Sequence, residues 1–120
     1  MIIAVASQGM DLSSKVDSRF GRAPYFLVYD TENENSQVVM NGQNVNAAQG
    51  AGIQAAETVT YLNADIVVAG NFGPKAFQAL AAAGAKVALW ADGSVEEAID
   101  LARNNKLEIS EKANVEGHWV

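Results

Sequence analysis

Ala64-Asp65-Ile66-Val67-Val68-Ala69-Gly70-Asn71-Phe72-Gly73-Pro74-Lys75-Ala76-Phe77-Gln78-Ala79-Leu80 reads as a strand, a tight turn and a helix in succession. Ile66 to Ala69 is short, apolar and β-branched, as a strand buried on both faces requires. Gly70-Asn71-Phe72-Gly73 is a glycine-bounded turn. Pro74 suits the first helical position, where a missing N–H costs nothing. The helix is expected to run to about Ala83, with Gly84 as its stop. Lys86 to Trp90 then reads as another strand. Strands joined through a helix run parallel in one sheet.

Working outward, residues 2–6 are a continuous apolar run and predict a central strand, ended by Ser7-Gln8-Gly9. Residues 10–24 read as a long loop. Tyr25 to Tyr29 and Ser36 to Met40 predict a hairpin around the turn residues Asp30 to Asn35. Asn41 to Gly52 is a polar loop, and the spacing of Ile53, Ala56, Thr60 and Asn63 predicts a helix over 52–63. Ser94 and Glu97 have capping-box spacing and open a third helix, ending near Asn104. Residues 107–120 read as a tail of weak preference. The expected fold is α/β: one domain over 1–120, with order β-β-β-α-β-α-β-α and a five-stranded mixed sheet flanked by three helices.

The chain has 120 residues, 49% of them apolar, with a formal net charge of −6 and no cysteine. That balance argues against a nucleic-acid partner, which selects a basic face, and against docking on an anionic membrane. Any metal must be held without protein thiolate. The N-terminal run lacks a basic flank and reads as a strand, not a signal peptide. A cytoplasmic protein is expected.

Three of the eight basic residues, Lys15, Arg19 and Arg22, fall within residues 15–22. Arg19 and Arg22 flank Phe20-Gly21 just ahead of an apolar strand. Arginine is suited to gripping anions, because its planar fork presents several fixed donors and keeps its charge. The plainer alternative is two solvated arginines, or surface pairs with Asp17 and Asp30; Lys15 and Asp17 are read as surface residues. The turn before Pro74 opens a helix, whose N–H groups and dipole favour an anion, with Lys75 adding charge. A short connection needing glycine and proline for shape alone explains it as well.

Ligands of open α/β sheets bind beyond the carboxyl ends of the strands. Ser7–Pro24, Gly70–Pro74 and Ala91–Ser94 are expected to meet there. Asn44, Asn46, Gln49, Gly50 and Gly52 form a neutral polar loop that either lines the same rim or merely starts a helix. The candidate metal ligands are His118, the one histidine, in Gly117-His118-Trp119, and Met10; Met40 is read as core. His118 is otherwise an incidental tail residue. Asp11, Asp17, Asp65 and Asp92 are scattered, without the carboxylate cluster of a metal-dependent nuclease. A binder, not an enzyme, is expected.

The blocks IIAVAS, DSRFGRAPYFLVYD, QGAGIQAAETV, ADIVVAGNFGPKAFQAL, GAKVALW and GSVEEAI resemble the dinitrogenase iron–molybdenum cofactor biosynthesis family, from Ile2 to about Leu107. Its members are similar to nitrogenase cofactor carriers and to a molybdenum–copper orange protein. The resemblance implies a ribonuclease-H-like fold. It also implies non-covalent carriage of an anionic metal–sulfur cluster or its precursor, containing molybdenum with iron or copper. A cluster-assembly or acceptor protein is the implied partner. The family's ligand rim maps onto Ser7, Arg19, Phe20, Gly21 and Arg22, and onto Gly70, Asn71, Phe72, Gly73 and Pro74. Phe20 and Phe72 are expected to shield the cluster from water. The alternative function on the same rim is a nucleotide- or phosphate-binding regulatory module.

Overall fold

β1 (Ile2–Ser7) lies inside the sheet because five of its six residues are buried. The computed structural model describes residues 1–41 and 50–114. β1 pairs antiparallel with β2 (Tyr25–Asp30), which pairs antiparallel with β3 (Asn35–Met40). On its other side β1 runs parallel to β4 (Ile66–Ala69), and β4 runs parallel to β5 (Lys86–Leu89). The helices are α1 (Ala51–Tyr61), α2 (Pro74–Ala82) and α3 (Val95–Arg103).

The sheet has six strands, in the order β3-β2-β1-β4-β5-β6, and not the expected five. The additional strand, β6 (Ile109–Ser110), pairs antiparallel with β5 inside the stretch read as a weak tail. Its two residues carry no hydrophobic alternation, and Ile109 is exposed. What β6 contributes is backbone pairing along the outer side of β5, which no side-chain pattern announces.

Side chains alternate across the sheet with the two-residue period of a strand. Ala4, Ala6, Phe26, Val67 and Ala69 face one core with α1 and α2. Ile3, Val5, Leu27, Val68 and Ala88 face the other, with α3. The alanines under α1 and α2 leave room that Phe20, Phe26 and Phe72 fill. Met40, expected in the core, is 68% exposed. It sits on the sheet's outermost strand, which among the described residues pairs with β2 alone.

α3 begins with the capping box its sequence predicts. The Ser94 side chain accepts the Glu97 N–H, and the Glu97 carboxylate accepts the Ser94 N–H at 3.0 Å. Ser94→Ala is expected to cost about 1 kcal/mol, measured as a lower urea midpoint with unchanged slope. At the β2–β3 turn the Glu32 N–H, with Asn33, holds the Asp30 carboxyl below its ordinary pKa. That contribution is present above the unfolded carboxyl's pKa and fades as pH falls through the folded value.

Candidate functional site

The carboxyl ends of β1, β4 and β5 are joined at one edge by the segment Gln8–Pro24. The Asp17 N–H donates to the Ala6 carbonyl at 2.8 Å, and isolated bridges pair Ser7 with Val16 and Lys15 with Ser94. A third bridge pairs Arg19 with Asn71. What reads in sequence as one long loop is thus stitched to each of its neighbours. The missed signal is short: single residues in extended conformation, with no run long enough to register as a strand.

The Arg19 segment and the Asn71 turn are tied atom by atom. The Phe20 N–H donates to the Asn71 carbonyl at 3.1 Å, and Asn71 Nδ2 donates to the Ser18 carbonyl at 3.0 Å. Gly70 permits this approach. A Cβ there would sit 3.0 Å from Ser18 Cα and from the Ser18 carbonyl oxygen, and 3.2 Å from Ala91 Cβ. Two of those atoms are backbone and cannot rotate away. Gly70→Ala is therefore expected to cost about 1–3 kcal/mol, seen in urea unfolding.

The far side of the arginine loop is fastened by Asn41. Its Nδ2 donates to the Ala23 carbonyl at 2.8 Å and the Gly21 carbonyl at 3.3 Å, and its N–H donates to the Pro24 carbonyl. Asn41 is fully buried. Sequence reasoning left it at the head of a polar loop, because one Asn beside other Asn and Gln residues carries no distinguishing pattern.

Arg19 is 54% exposed, with Nε 3.9 Å from Asp17 Oδ1. Among the described residues its terminal amino groups have no hydrogen-bond partner. Asp17 was read as a surface residue and is instead buried, 4% exposed. Its carboxylate accepts the Arg19 N–H at 2.8 Å and so shapes the loop that carries the guanidinium. Arg22 is half-buried on the same loop, and Gly21 between them is buried. Lys15 is exposed, and its Nζ donates to the Ala91 carbonyl at 3.2 Å.

α2 opens at the Asn71 turn. Gly73 caps it in extended conformation without a side-chain bond, and exposed Pro74 is its first residue. The first-turn N–H groups therefore have no side-chain acceptor from the cap, the arrangement an anion can complete.

Other expected rim residues face elsewhere. Phe20 and Phe72 are fully buried, their ring centroids 4.9 Å apart and stacked, with Phe26 5.3 Å from Phe20. They pack beneath the rim and do not line it. The apolar interior claims them because each follows a residue whose backbone is pinned at the edge. Ser7 is also fully buried, its hydroxyl donating to the Gly9 carbonyl at 2.6 Å. Gly50 caps α1 with φ 82°, and Gly52 is buried within it. Met10 is exposed. Asn44, Asn46, Gln49 and His118 lie outside the described residues. Among the described residues no three His, Asp or Glu side chains gather as a metal site, and no helix is long and apolar enough to cross a membrane.

One residue outside every expectation reaches the turn. Asn114, in the weak tail, bonds to Gly70, Asn71 and Phe72.

The fold is a mixed α/β sheet that carries a guanidinium loop and an open helix start at one edge. The chain belongs to the dinitrogenase iron–molybdenum cofactor family, whose sequence model matches residues 1–105. It is similar to the apo orange protein of Desulfovibrio gigas, with 36% identity and TM-score 0.91 over 95% of this chain and 96% of that one. A Thermotoga protein described as NifB-type is 40% identical, with TM-score 0.83 over 97% and 98% of the two chains. An uncharacterized protein of Methanocaldococcus jannaschii is 26% identical over 80% of this chain and 83% of its own length.

Proposed function

We propose that the protein binds and carries an anionic metal–sulfur cluster, or its precursor, without covalent attachment. The observation that carries this reading is the Arg19–Asn71 bridge, which joins the backbone of the arginine loop to the turn that opens α2. Family membership and the orange-protein likeness support a cargo related to the iron–molybdenum cofactor, with molybdenum and iron or copper. With no cysteine in the chain, the donors toward sulfide or oxo atoms are guanidinium and backbone N–H groups. Arg19 and Arg22 neutralise charge, and the N–H groups around Asn71 to Lys75, of which Pro74 has none, orient the guest. Phe20 and Phe72 serve by fixing the two rim segments to the core. The role is carriage and not catalysis, in the cytoplasm, with a cluster-assembly or acceptor protein as partner. The strand order supports the ribonuclease-H-like assignment.

The test is an anaerobic titration with tetrathiomolybdate, with and without copper(I), beside inorganic phosphate and nucleotides. A true guest at ~100 times its Kd adds about 2.7 kcal/mol of stability, read as a rise in Tm. A rise with nucleotide and none with thiomolybdate would replace this reading with the phosphate-binding module.

A further inference from the structure

Asn114 lies beyond the residues that the family match covers, and its side chain is exposed. Even so, it is held to the turn before α2 by several long-range bonds. The Phe72 N–H donates to Asn114 Oδ1 at 2.8 Å. Asn114 Nδ2 donates to the Gly70 carbonyl at 3.2 Å and to Asn71 Oδ1 at 3.0 Å. The Asn114 N–H donates to the Phe72 carbonyl at 3.2 Å.

Two features distinguish this from ordinary tail packing. The Phe72 N–H stands one residue ahead of the Gly73 cap, beside the open donors of α2. The group it bonds is a neutral carboxamide oxygen, a weaker acceptor than an anion. Second, the segment has little else to hold it. Lys112 bonds locally to the Ser110 hydroxyl, and among the described residues the long-range hydrogen bonds of 111–114 all come from Asn114.

We propose that Asn114 is a competitive latch on the guest site: its carboxamide fills the rim when empty, and an arriving anion displaces it. The inference rests on the rim being an anion site. A charged acceptor bonds an N–H roughly twice as strongly as a neutral one, so the guest wins the Phe72 N–H. In the empty state the same carboxamide keeps that N–H paired. Loading therefore frees residues 111–114, and the empty and loaded forms present different surfaces to a second protein.

The experiment compares the wild-type chain with Asn114→Ala, titrating tetrathiomolybdate and following amide hydrogen exchange over 105–114. A latch closed nine-tenths of the time lowers apparent affinity about tenfold, so Asn114→Ala is expected to bind about tenfold more tightly. In the wild-type chain the Asn114 amide is expected to exchange faster on loading. Weaker binding by Asn114→Ala, or slower exchange on loading, overturns the latch and makes Asn114 a fixed part of the site. Equal affinity with unchanged exchange also overturns it, leaving the anion site intact. Binding by neither protein overturns the anion site itself, and the latch with it.

Discussion

Arg19→Ala/Arg22→Ala is expected to bind tetrathiomolybdate about 100-fold more weakly than the wild-type chain. A hydrogen bond to a charged group is worth about 1.5–3 kcal/mol when well shielded. Arg19 is 54% exposed, so screening brings its share to the low end of that range. Two arginines at about 1.4 kcal/mol each give the factor of 100. The free protein's Tm is expected to fall little for Arg19→Ala, because its half-exposed guanidinium pairs only loosely with Asp17 at 3.9 Å and the backbone N–H that holds that carboxylate remains. Arg19→Lys separates charge from shape. Lysine keeps the positive charge but loses the planar fork, so an intermediate affinity points to directed donation and a wild-type affinity to charge alone. Isothermal titration at two salt concentrations reads both effects. Undiminished binding by the double variant removes the arginines from the site.

Phe72→Ala is expected to be the most damaging single substitution at the rim, costing about 3–5 kcal/mol. The ring is fully buried and stacks on Phe20, which in turn meets Phe26. Truncation leaves a void between the turn before α2 and the arginine loop, where a neighbouring backbone already held by Asn71 cannot collapse inward. A fall in Tm of about 10–20 °C is the expected reading. Phe72→Leu, which retains much of the volume, is expected to lose far less. Urea unfolding followed by circular dichroism measures both, and a change under about 1 kcal/mol for the alanine variant places the ring outside the core.

The helices were legible from sequence because each buries a spaced stripe, and β1 and β4 because they are continuous apolar runs. The run Ile66 to Ala69, the Pro74 start and the Ser94–Glu97 box all point one way, and the observed boundaries fall within about two residues of expectation. The convergence of the Arg19 loop and the Asn71 turn was legible too, since parallel strands send their exits to one edge. Illegible were contacts made by single polar residues across large separations. Asn41 with Ala23, Asn71 with Ser18 and Asn114 with Phe72 have no spacing rule. Asp17 misled because a carboxylate beside an arginine reads as an exposed ion pair, whereas here it folds inward to take a backbone N–H. Phe20 and Phe72 misled because proximity in sequence to a rim says nothing of which way a side chain turns.

The stacked rings under the rim divide labour between two kinds of position. Interior aromatic residues dictate where the scaffold's edge lies, while under the proposed reading the outward groups decide what it attracts. Exchanging the outward groups leaves the foundation undisturbed, so under the same reading the framework is open to retuning for guests of different charge by surface replacement.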